Sequence, residues 1–273
     1  YENCFVTRAR RVAADSQVVV VNHALFFADL ALRLRGGEQG LGVLPRYDAV
    51  VFDEAHALED VATEYFGLTA SSGRLAALAQ DALTHAAPAD PRAATLSGLA
   101  LELRTRGDAF WNAVAARLVP EAAEGAPRAR AEGGLPGGDV RLLPDTLGDA
   151  RGEGARVLET LAAVAALCPP EDAELGPFHR RAREAALALE ATLAADDPAQ
   201  VYWATARGRS LTLRAAPIDV GESLARHLYD SVETVVFTSA TLRTADAGRA
   251  DGGFEYTVQR LGLTGRPWDG LAV

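Results

Sequence analysis

Three short runs of the chain are apolar without alternation: Val18-Val19-Val20-Val21, Ala49-Val50-Val51-Phe52 and Val235-Val236-Phe237. A strand with one wet face carries a polar residue at every second position, so unbroken runs predict parallel strands buried on both faces. Between the first two runs, Leu25, Phe26, Leu30 and Leu34 recur at helical spacing, ahead of glycines at 36, 37, 40 and 42. That pattern predicts a crossover helix and a right-handed βαβ unit. Residues 4–14 read as a short basic helix, and Asp219 is placed to cap a helix bearing Val220, Leu224 and Leu228.

From about residue 61 to 198 the β-branched runs give way to Ala/Leu/Arg-rich helices. One apolar stripe is Leu75, Leu78, Ala79 and Leu83, with Ser71 and Ser72 available as caps; a longer one is Leu96, Leu99, Leu103, Phe110, Val114 and Leu118. Two more follow, Val157 to Cys168 and Phe178 to Leu193, separated by Pro169-Pro170. Steps of three, four or seven put each set on one helix face, which predicts helix-on-helix packing. Residues 120–138 are rich in Pro, Gly and Ala and read as an exposed connection. Residues 201–205 and 211–215 then read as a hairpin turning near Gly208. The order α/β, helical, α/β is that of one domain inserted into another, with expected boundaries 1–60, 61–199 and 200–273.

Composition narrows the classes. The chain has 273 residues, 49% of them hydrophobic, and a net charge of −10. No stretch approaches the ~18 apolar residues of a membrane span, and two cysteines cannot build a disulfide framework, so a reducing cytoplasm is expected. The acidic balance disfavours non-specific nucleic-acid binding by the whole chain without excluding a local arginine track; Arg180, Arg181 and Arg183 read first as a solvated helix face and only second as such a track. There is no methionine, and all 27 basic residues are arginine. A phosphate-binding loop of the Walker type needs a lysine. The expectation is therefore a piece of a longer product, with the lysine half of any ATP site outside it.

The chemistry concentrates in Asp53-Glu54-Ala55-His56, directly after the second apolar run. In open α/β sheets ligands bind at the carboxyl ends of strands; there an Asp can hold nucleotide-bound magnesium and a Glu can orient an attacking water. Taken alone, Asp-Glu after a strand is equally a helix N-terminus favoured by the dipole. Asn22 and His23 end the first apolar run, at the same expected edge, where His23 reads equally as a core histidine. Cys4 alone is an ordinary thiol, and Cys168 a small core residue.

Together, residues 18–23, the Asp53-Glu54-Ala55-His56 box followed by Ala57-Leu58-Glu59-Asp60, and Thr238-Ser239-Ala240-Thr241-Leu242 resemble the DinG/XPD-like iron–sulfur helicases of superfamily 2. The resemblance covers about residues 1–66 and 200–262; the helical middle matches by position only. It implies a partial RecA-like α/β motor domain with a large all-helical, arch-like insertion. It also implies an ATP-dependent 5′ to 3′ DNA helicase of repair or replication, acting as a monomer on single-stranded or forked DNA. The cofactors would be Mg-ATP and a [4Fe-4S] cluster. By this resemblance Asp53 holds Mg²⁺, Glu54 polarises the attacking water, and His56, Ser239 and Thr241 couple the nucleotide to DNA. Cys4 is the fourth cluster ligand, although Phe5 stands where the family often has proline, and Asn22 and His23 lie toward DNA. The Walker A segment, the remaining cluster cysteines and the second motor domain would lie outside the chain, leaving the piece alone inactive. Two other readings remain: a non-catalytic helical interaction module, and an RNA helicase of the same superfamily.

Overall fold

The computed structural model describes residues 4–35, 42–85, 90–118, 135–208, 210–243 and 253–271. It divides into two compact units, residues 1–66 with 217–273, and residues 67–216. The structure is mixed α/β, as expected, and two of the three apolar runs form parallel strands while the first does not.

In the first unit, α1 (Phe5–Ala14) precedes α2 (His23–Arg35), β1 (Ala49–Asp53) and, after a 3-10 turn, α3 (Leu58–Phe66). No strand forms at residues 18–21: Val18 is 78% and Val20 91% exposed, and only Val21 packs against the core. A strand needs a neighbour for its backbone groups, and among the described residues none is offered there. The expected βαβ unit is therefore absent. Instead β1 pairs in parallel with a strand far along the chain, Thr234–Thr238, in the register Ala49↔Thr234 to Asp53↔Thr238.

This pair is covered on one face, not two. Phe52 is buried against α2, with its ring edge-on to Phe26 at 5.0 Å and stacked on Phe237 of the paired strand at 5.7 Å. Val51, on the opposite face, is 66% exposed. Val236 is exposed in the same way, so both strands alternate between a covered and an open face. The covered face meets Phe26, Phe27, Leu30, Leu58, Val220, Leu224, Leu228 and Leu261. Burial of such side chains contributes about 1.5–3 kcal/mol each before entropy is subtracted.

The second unit is not the all-helical insertion expected from its composition. Helices α4 (Ser72–His85), α5 (Ala93–Leu118), α6 (Ala150–Leu167) and α7 (Gly176–Ala194) share their core with a four-stranded sheet. Its strands are β2 (Leu68–Ser71), β3 (Leu135–Arg141), β4 (Gln200–Gly208) and β5 (Ser210–Pro217), in the order β2-β5-β4-β3. The apolar stripes pack as their spacing predicts: Leu96, Leu103, Phe110, Val114, Val157, Leu161 and Val164 are each at most 1% exposed. Ser71 Oγ accepts from the Arg74 amide at 3.2 Å and so caps α4. Strands β4 and β5 join this sheet, so the change of unit falls at 216/217 and not at 199/200. The glycine stop after α2 at 36, 37 and 40, and residues 120–134 of the proline- and glycine-rich connection, lie outside the described residues, while its last residues, 135–138, belong to β3 rather than to a loop.

Returning to the first unit, α8 (Gly221–Leu224) runs into a π-turn at Ala225–Tyr229, β6 (Thr234–Thr238) follows, and α9 (Glu255–Arg260) comes last. Asp219 Oδ1 accepts from the Gly221 amide at 2.7 Å, although the N-cap itself is Val220, one residue beyond the cap expected. No helix among the described residues is long and apolar enough to cross a membrane.

Candidate functional site

The parallel register sets the site. Pairing of Asp53 with Thr238 brings two segments distant in sequence to one carboxyl edge. Immediately after Asp53 the backbone enters the left-handed region at Glu54, φ 51° and ψ 45°, uncommon for a residue with a side chain. The chain then turns through Ala55–Ala57 into α3, with the buried Ala55 and Leu58 anchoring the turn.

Three side chains meet there. His56 Nδ1 lies 2.9 Å from Ser239 Oγ and 3.2 Å from Glu54 Oε2, while Ser239 Oγ lies 3.2 Å from Glu54 Oε2. A serine hydroxyl has one proton to give. When Ser239 donates it to the Glu54 carboxylate, its oxygen can accept from a protonated His56 Nδ1. The Thr241 amide also donates to Ser239 Oγ, at 3.4 Å. Glu54 and His56 remain 64% and 51% exposed, and Asp53 is exposed beside them. An open edge with two carboxylates can meet a solvated ligand.

Asn22 and His23 do not end a strand, because none forms before them; they open α2. Asn22 Oδ1 accepts from the Leu25 amide at 2.8 Å as the helix cap, and the His23 ring lies edge-on to Phe52 at 5.9 Å. His23 thus reaches the strand that bears Asp53, but through packing.

Cys4 stands at the N-cap of α1, a helix with no buried residue. The Thr7 amide and hydroxyl and the Val6 amide near its exposed thiol hold it below the usual value, aided by Arg10. Cys168 is the opposite case: it is buried, and desolvation pushes its thiol up. An iron–sulfur cluster of the usual kind takes four thiolates. Two cysteines so placed do not form such a site, and among the described residues no group of three or more His, Cys, Asp or Glu could hold a metal.

One supporting residue escaped the sequence pattern. Asp29 is fully buried on α2; it accepts from Arg33 Nε at 2.7 Å and from the Leu44 amide at 2.8 Å. Arg33 in turn donates to the Leu44 carbonyl at 2.7 Å, so the pair pins the segment leading into β1. Its one sequence signal is the Asp-to-Arg spacing of four on a helix. Arg260 pairs with Glu59 in a similar way, tying α9 to α3.

No protein-family model matches the chain. It is 32% identical over 262 residues to the ATP-dependent DNA helicase YoaA of Escherichia coli, covering 90% of this chain and 36% of that protein. It is 26% identical over 282 residues to the ATP-dependent DNA helicase YoaA of Haemophilus influenzae, covering 96% and 38% respectively. The chain thus spans little more than a third of the length of these curated relatives.

Proposed function

We propose that this chain, which belongs with those relatives to the DinG/XPD-like helicases, carries the acidic side of an ATP site coupled to movement along DNA. The whole protein would be an ATP-dependent DNA helicase of the cytoplasm, acting 5′ to 3′ on single-stranded or forked DNA in repair or replication. The observation that carries this is the contact of Glu54 and His56 with Ser239 at the carboxyl edge of β1 and β6. A carboxylate serving only as a helix cap would not call for a partner 185 residues away.

Asp53 is assigned to magnesium. An ion bound with nucleotide is held largely by phosphates and water, so one or two carboxylates suit it; bound magnesium supplies neutralisation of phosphate charge. Glu54 would orient the attacking water, since phosphoryl transfer needs positioning and electrostatics more than covalent help. Ser239 and His56 would link that carboxylate to β6, and Thr241 would extend the link toward DNA. Cys4 is assigned at most one thiolate of a cluster completed by residues outside this chain, and no step depends on it.

In the intact protein, Glu54→Gln should leave ATP binding within a few-fold and lower turnover by about 10²-fold or more. Turnover at the wild-type rate would remove Glu54 from this role.

A further inference from the structure

The short helix α9 reaches back to both segments that carry the candidate site. Thr257 Oγ1 donates to the Leu242 carbonyl at 2.7 Å, and Arg260 Nη2 pairs with the Glu59 carboxylate. Leu242 closes the segment that bears Ser239 and Thr241. Glu59 stands in the first turn of α3, directly after the turn that bears Glu54 and His56. Residues three apart on a helix are neighbours on its surface, so a single face of α9 holds the two segments.

The helix is itself fixed at its carboxyl end. Leu261 is buried, and its carbonyl accepts from the Tyr229 hydroxyl at 2.6 Å. Gly262 follows at φ 70° and lies so close to the Gly221 backbone that a side chain there would collide with it. Both the left-handed backbone and the close approach call for glycine.

Stability alone does not account for these contacts. The Arg260 and Glu59 side chains are 35% and 26% exposed, and an ion pair with that access to water stabilises little. Arg260 Nε is buried with no hydrogen-bond partner among the described residues, an unfavourable placement. What the contacts fix is geometry. The pairing of Asp53 with Thr238 holds the strand end of each segment, and α9 holds the other end. The contact from Ser239 Oγ to Glu54 Oε2 is already 3.2 Å long, so small shifts of a segment held at one end only would break it.

We propose that Thr257 and Arg260 are positioning residues, and that α9 is a brace keeping Ser239 within reach of Glu54 and His56. The brace rests on the coupling role given above to Ser239.

The test uses the intact protein, with ATP hydrolysis and duplex unwinding measured in parallel. Thr257→Val keeps the shape and removes the hydroxyl; Arg260→Gln removes the charge. Each should raise the ATP consumed per base pair opened about fivefold, the low end of a coupling effect. Neither should add to Ser239→Ala when combined with it, because changes along one chain of contacts are not independent. A ratio unchanged in both variants while Ser239→Ala raises it would overturn the brace alone, and a lowered unfolding temperature with that result would mark a merely structural contact. A rise that adds in full to that of Ser239→Ala, or that occurs where Ser239→Ala produces none, would also overturn the brace. A ratio fixed in all three variants would overturn it together with the coupling role of Ser239.

Discussion

A left-handed conformation outside glycine costs on the order of 1–3 kcal/mol and persists where the surroundings enforce it; at Glu54 the buried Ala55 and Leu58 do so. The strain leaves its carboxylate at the open strand edge, beside His56 and Ser239. The acidic box was legible because adjacent carboxylates and a histidine after an apolar run are visible in one window. The contact from His56 to Ser239 spans 183 residues and required the fold. Ser239→Ala in the intact protein should therefore separate two quantities that Glu54→Gln does not. ATP consumed per base pair opened should rise about five- to tenfold, the range of a modest coupling energy. Parallel ATPase and unwinding assays measure it, and a fixed ratio would deny Ser239 a coupling role. For Cys4, the check is iron: Cys4→Ser in the intact protein should lower bound iron, and unchanged iron content would remove it as a ligand.

Helices were more fully legible than strands, for a physical reason. A helix satisfies its own backbone, so the spacing of Leu96, Leu103, Phe110 and Val114 suffices to predict both the element and its buried face. A strand depends on a partner that the local sequence does not name. Residues 18–21 have strand composition and no partner among the described residues, while Leu68–Ser71 forms β2 against β5 with little local signal. Buried charge was equally hidden. Asp29→Ala would leave Arg33 facing a covered site and should destabilise the first unit by about 3 kcal/mol, seen as a lower urea midpoint. A second probe is His227, packed beside Phe66 at 6.0 Å, whose pKa is lowered by burial and then by Arg226. Its folded value lies below the unfolded one, so the unfolded chain binds the proton first. Stability from this group is complete above about pH 6.5 and declines as pH falls below it. His227→Gln should flatten the urea midpoint over that acidic window.

Each unit has a hydrophobic core of its own; the sequence pattern suggests one nested within the other, but it sets the far boundary at 199/200, where the compact units divide at 216/217. The hairpin was readable as two strands, but alternation alone could not say that both belong to the sheet of residues 67–216. The open face carrying Val51 and Val236 and the acidic edge beside it have a common consequence. An ATP site of this class needs a cation reaching the β- and γ-phosphates, supplied in Walker-type loops by lysine. The chain has 27 basic residues, all arginine. On the function proposed above, Asp53 and Glu54 would provide the metal and water side of such a site, and no lysine of this chain would provide the phosphate side. The purified 273-residue chain should show no ATP turnover above background with magnesium and single-stranded DNA present. A sensitive phosphate-release assay decides the matter, with the Glu54→Gln chain as the control for contaminating ATPase. Turnover abolished by that substitution would mean that these residues hydrolyse ATP without a lysine loop, and the assignment of half a site would be wrong.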